Sequence, residues 1–156
     1  MGFADIKKGI TRQSFEVYEG KVTAGPLIDI APGTFKLSLS LDGHQDPGVD
    51  IDLYLYYYNK QKEQWEEVSN SITNNEWRES IEIFYPKPGQ YIVYFDGYKI
   101  PQQKTKVQLA KHILIDEGMI KLANPELLIK KDETIWVPIN LDMPALPGEY
   151  LGYFMV

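Results

Sequence analysis

At 156 residues the chain fits one domain, and 16 Lys+Arg against 22 Asp+Glu leave a formal net charge of −6, the wrong balance for a protein whose main partner is duplex nucleic acid. The absence of cysteine excludes disulfides, thiol nucleophiles and Cys-based metal sites. No apolar run approaches the ~18–20 residues of a membrane-spanning helix, and Met1–Lys8 lack the apolar core of a signal peptide.

Apolar and polar residues alternate with a period of two through most of the chain, the pattern of strands with one wet face. Strands are predicted first at Ser14–Tyr18 and Pro26–Ile30. After Ala31-Pro32-Gly33-Thr34, the run Phe35–Leu41 is apolar at every odd position and polar at every even one, and Asp42-Gly43 stops it. In Asp50–Tyr58, Ile51, Leu53, Leu55 and Tyr57 share one face; Asp50, Asp52, Tyr54, Tyr56 and Tyr58 share the other. Asn59–Ser69 is charged, lacks an apolar period and reads as a loop or hairpin tip.

Ser80–Phe84 and Gln90–Asp96 flank the turn Pro86-Lys87-Pro88-Gly89. Weaker strands are predicted at Lys104–Leu109, His112–Asp116, Met119–Leu122, Leu127–Ile129, Thr134–Ile139 and Tyr150–Val156. Strands roughly 8–12 residues apart, punctuated by Gly and Pro, predict an all-β fold: a two-sheet antiparallel β-sandwich of jelly-roll type. One domain over 1–156 is expected, with its motif core at 14–110. Residues 117–156, beyond a seam at Asp116-Glu117-Gly118, supply extra strands of the same sandwich or part of a truncated neighbouring module. The apolar end Tyr153-Phe154-Met155-Val156 fits a chain that continues in a longer protein.

Chemistry-bearing motifs are sparse. His44 and His112 stand far apart, without the His-Glu-x-x-His spacing of a zinc protease. There is no Gly-x-Ser-x-Gly elbow and no dinucleotide or P-loop pattern, so no catalytic residue is assigned. The strongest local feature is acidic, Asp46-Pro47-Gly48-Val49-Asp50-Ile51-Asp52. Carboxylates at i and i+2 of a strand share a face about 6–7 Å apart and repel unless a cation intervenes. Calcium takes six to eight oxygens, and Asp46, Asp50, Asp52 and Asp96, the last in Phe95-Asp96-Gly97, are its candidate ligands. The competing reading has them solvated or paired with lysine at a strand edge. The second feature is aromatic: Tyr54, Tyr56 and Tyr58 project from one face, with Trp65 and Trp77 nearby. Such a face stacks on sugars or packs on a protein, unless another sheet or loop covers it.

Taken in order, Thr34–Leu41, Asp50-Ile51-Asp52-Leu53-Tyr54-Leu55-Tyr56, Val68-Ser69-Asn70-Ser71, Glu79-Ser80-Ile81-Glu82-Ile83 and Pro88-Gly89-Gln90-Tyr91-Ile92-Val93-Tyr94-Phe95, then Gly97-Tyr98-Lys99-Ile100-Pro101, resemble the pre-peptidase C-terminal domain. That module is a β-jelly roll appended to secreted subtilisin-like and other peptidases. The resemblance covers roughly residues 14–110. It implies a noncatalytic, extracellular accessory domain serving stability, secretion or substrate contact, with calcium as cofactor at Asp50 and Asp52. The implied partners are the catalytic domain of a parent peptidase and its protein or polysaccharide substrate. The rival reading is a carbohydrate- or protein-binding sandwich that uses the Tyr54/Tyr56/Tyr58 face.

Overall fold

Among the described residues the period-two runs form strands. In chain order these are β1 (Gly2–Asp5), β2 (Ile10–Tyr18), β3 (Val22–Ile30), β4 (Thr34–Asp42), β5 (Asp50–Asn59), β6 (Gln64–Ser71), β7 (Ser80–Phe84), β8 (Gly89–Lys99), β9 (Lys104–Ile115), β10 (Ile120–Leu122), β11 (Ile139–Leu141) and β12 (Tyr150–Tyr153). The structure, a computed structural model, describes residues 2–5, 10–42, 47–115, 120–122, 139–141 and 150–153. Among them there is no helix.

Two four-stranded antiparallel sheets carry the fold, in the orders β2-β9-β4-β7 and β3-β8-β5-β6. β2 pairs with β9, β3 with β8, β4 with β7 and β5 with β6. The chain is therefore folded double about the turn that joins β5 to β6, and successive pairs fall in alternate sheets. That nesting is the jelly roll, two Greek keys closed face to face. Separately, β1 pairs with β12 and β10 with β11.

Alternation decides what lies between the sheets. Val17, Leu37, Leu39, Leu41, Ile81, Val107 and Leu109 of the first sheet form one buried cluster with Ile28, Ile51, Leu53, Leu55, Tyr91, Val93 and Phe95 of the second. Leu37, Leu39, Leu53, Leu55 and Phe95 are fully buried. At about 25 cal/mol per Å² of apolar surface, this is the main stabilising term. Gly25-Pro26 falls at a bulge in β3, where the register shifts between Ala24 and Leu27. Proline is tolerated there because β3 is the edge of its sheet.

The structure departs from the sequence expectations in several places. Asn59–Ser69 is not a loop throughout: only its first residues turn, and Gln64–Ser71 is the edge strand β6. Its run Gln64-Trp65-Glu66-Glu67, polar apart from Trp65, hides the strand because an edge strand at the rim can stay wet. Lys104–Leu109 and the described residues of the second run, His112–Ile115, are parts of one long strand, β9, paired with β2 and β4. Gly2–Asp5, too short to show a period, is a strand through its pairing with β12. The predicted Leu127–Ile129 lies outside the described residues, and of Thr134–Ile139 only Ile139 is described, as the start of β11.

Gly97 supplies a test of the close packing between β8 and the β2–β3 turn. Its N–H donates to the Lys21 carbonyl at 3.1 Å, and its carbonyl accepts from the Gly20 N–H at 2.8 Å. A Cβ at Gly97 would lie 2.3 Å from the Tyr18 carbonyl oxygen and 2.9 Å from Ile100 Cδ1. Backbone cannot yield as a flexible side chain does. Gly97→Ala is therefore expected to cost about 2–4 kcal/mol in chemical denaturation, whereas an unchanged midpoint would show that the turn moves freely.

Candidate functional site

Because Leu53, Leu55, Val93 and Phe95 point inward, their neighbours on β5 and β8 must point out. Cross-strand register then sets three outer rows. Val22, Asp96 and Asp52 form the first; Ala24, Tyr94, Tyr54 and Asn70 the second; Leu27, Ile92, Tyr56 and Glu67 the third. A groove of about 270 Å³ opens among Val22, Tyr54, Tyr56, Tyr94 and Asp96. Tyr56 and Tyr94 meet edge to face, with centroids 5.5 Å apart and planes at 90°. The Tyr56 hydroxyl donates to Glu67 Oε2 at 3.2 Å, which holds one ring of that corner in place.

The three predicted tyrosines thus separate. Tyr54 and Tyr56 line the groove, while Tyr58 packs on Trp65, with centroids 5.2 Å apart. Trp77 packs against the hydrophobic core, with the Arg78 guanidinium over its ring, and takes no part in this face. Tyr94 and Val22 were not foreseen. The alternation of β8 carried the signal for Tyr94, since Tyr91, Val93 and Phe95 are core residues. Val22 needed the pairing of β3 with β8.

The sheet that bears the groove is acidic. Its strands contain Asp29, Asp50, Asp52, Glu66, Glu67 and Asp96, against Lys99 alone at the end of β8. The other sheet's strands carry Arg12, Lys36, Lys104, Lys106 and Lys111 against Glu16, Asp42 and Glu82. Asp52 is 7% exposed and sits directly across from Asp96. Burial, then the charges of Asp50, Asp96 and Glu79, push its carboxyl up to about 6. Burial raises the Tyr54 hydroxyl too, helped by Asp52, Asp96 and Glu67.

Two further carboxylates are buried for a structural purpose. Glu79 accepts from the Thr73 N–H at 2.9 Å and from the Ser71 hydroxyl, and Asp50 Oδ2 accepts from the Asn75 N–H at 2.8 Å. Together they tie the β6–β7 connection across the end of the sandwich. Asp50 Oδ1 is buried without a hydrogen-bond partner. Of the four candidate calcium ligands, Asp46 lies outside the described residues, while Asp50, Asp52 and Asp96 occupy one end of the second sheet. Among the described residues, no group of three or more His, Asp or Glu side chains is placed to hold a metal ion.

His112 lies across from Ser38, which lies across from Glu82 on the other side. The row is not arranged as a nucleophile and base. Ser38 directs its hydroxyl to Glu82 at 3.3 Å, and His112 Nε2 is buried with no partner. Burial and the Lys36 charge lower the His112 pKa. His44 lies outside the described residues.

No protein-family model matches the chain. It is 27% identical over 135 residues to Pyrolysin of Pyrococcus furiosus, an alignment that takes in 80% of this chain and 9% of that protein. Among solved structures it is similar to the Yersinia pseudotuberculosis-derived mitogen, with a TM-score of 0.49 and 11% identity, over 66% of this chain and 84% of that one. It is also similar to PliG of Aeromonas hydrophila, a periplasmic inhibitor of g-type lysozyme, with a TM-score of 0.43 and 14% identity, over 69% of this chain and 89% of that one. Likeness this loose carries no functional meaning. No helix among the described residues is long and apolar enough to cross a membrane.

The raised Asp52 carboxyl makes stability depend on pH in a definite direction. The folded state holds this proton more tightly than the unfolded chain, whose ordinary value is 3.8, so stability falls as pH climbs from there to about 6. Asp52→Asn removes that loss. It should raise stability at pH 7.5 by about 1–2 kcal/mol and flatten the decline from this group, as read from urea midpoints across pH 4–7.5. A variant less stable than the parent at pH 7.5 would show that the charged carboxylate is held by a favourable partner.

Proposed function

We propose that this chain is a noncatalytic accessory module of a secreted, subtilisin-like peptidase, serving the stability, export or substrate contact of its parent. The observation that carries this reading is the alignment with Pyrolysin, a subtilisin-like peptidase. Four-fifths of this chain matches less than a tenth of that protein, so the shared segment has the size of a module and not of a whole enzyme. A two-sheet sandwich with a filled core suits that role, because its strength lies in packing and not in a cleft. The parent's catalytic domain is the partner on this reading, and the module shares its extracellular location.

The test is made on the peptidase polypeptide that contains the module and on a version lacking it. Hydrolysis of a short chromogenic peptide should stay within about twofold. The half-life on heating, or the yield of exported protein, should drop several-fold without the module. Turnover of peptide by the isolated 156-residue chain would overturn the proposal.

Calcium belongs to this proposal as an ion that relieves the repulsion between Asp50 and Asp52 in the folded state only. Binding to the folded state alone raises stability by linkage. Melting at pH 7.5 with millimolar calcium and with chelator should then differ, and Asp52→Asn should remove most of the difference. Superimposable melting curves for the parent chain would eliminate the ion.

A further inference from the structure

We propose that the groove between Tyr54, Tyr56, Tyr94 and Asp96 binds a cationic side chain, arginine above all, presented by a basic segment of a protein partner. The inference needs only the outer face of the second sheet and stands apart from the accessory-module reading. Charge complementarity selects the occupant. The groove is walled by aromatic rings, Asp96 lines it, and Asp52 lies across from Asp96. Among the described residues, no Lys or Arg lines it. Burial raises the Tyr54 hydroxyl most, and Asp52, Asp96 and Glu67 add to it.

Geometry favours a guanidinium over other occupants. Ring faces attract a cation, and a planar guanidinium can stack on one ring of a right-angled corner while its N–H groups reach a carboxylate. The Tyr56–Tyr94 pair makes that corner, and Asp96 supplies the carboxylate. A hard metal ion requires a shell of oxygens, which a wall of rings does not provide. A neutral sugar stacks best on an open flat platform, which two rings at right angles do not make. Val22, 63% exposed at the rim, offers apolar surface to the aliphatic stem of an arginine.

The probe is a peptide blocked at both ends, Gly-Gly-Arg-Gly-Gly, titrated into the isotopically labelled 156-residue chain in low salt and followed by NMR. Its counterpart carries citrulline, which keeps the shape and removes the charge. Saturating shifts at Tyr54, Tyr56, Tyr94 and Val22 are expected. Affinity should be at least about fivefold weaker for the citrulline peptide and for the isosteric Asp96→Asn chain. Tyr94→Leu, which alters only the outer face, should weaken binding similarly while the core methyl resonances of Leu39 and Leu55 stay in place. Equal binding of the two peptides, shifts outside the groove, or no saturating shift would overturn the proposal. So would saturation of the same residues by cellohexaose with no response to the arginine peptide, which would make the face a sugar platform.

Discussion

Leu53 and Leu55 are fully buried in β5, between the flanking strands β6 and β8 and against the core leucines of the facing sheet. Their burial requires one register. A slip of one residue would exchange the two faces of β5, sending Asp52 and Tyr54 inward and the leucines out to water. Losing the burial of two leucines and setting a carboxylate among apolar side chains costs several kcal/mol, so the alternative is heavily disfavoured. The rest of the candidate site follows from that register: it puts Tyr54 beside Tyr94 and Asp52 beside Asp96. It also brings Tyr56 within reach of Glu67.

The same constraint concentrates acid on one sheet. Two buried carboxylates have structural duties, for Asp50 of this sheet and Glu79, within the connection between β6 and β7, accept backbone N–H groups of that connection. Asp52 stands differently, since burial and the carboxylates around it disfavour its charge. Its cross-strand partner Asp96 lines the groove between the half-buried rings of Tyr54, Tyr56 and Tyr94. The opposite sheet, richer in lysine, meets its charges by local pairing, as when Lys36 reaches Glu82 at 2.5 Å and Lys104 reaches Glu16 at 3.4 Å.

Nesting the strand pairs has a kinetic side as well. β2 must find β9, and β3 must find β8, across most of the motif region, whereas β5 and β6 meet around a short turn. Loop closure makes the distant pairings entropically costly until the central hairpin exists. The β5–β6 hairpin is therefore the natural place for the fold to begin, and it is also where the groove's first two tyrosines lie.

Alternation alone was enough to place Leu37, Leu39, Leu53 and Leu55 inside, to put Asp52, Tyr54 and Tyr56 outside, and to mark the stops at Pro32-Gly33 and Pro88-Gly89. These are local properties, because a strand's two faces are written into its own residues. The sequence did not show that β6 is a strand, since a wet edge strand need not alternate. Nor did it show that Tyr58 leaves the groove for Trp65 while Tyr94 and Val22 enter it. Those outcomes depend on which strand lies beside which, and on bulges that shift the register at Leu55/Tyr56 and Ala24/Leu27. Pairing between residues as distant as Val22 and Asp96 is settled only when the whole sandwich closes, because the energy that selects it comes from the shared core and not from either segment alone.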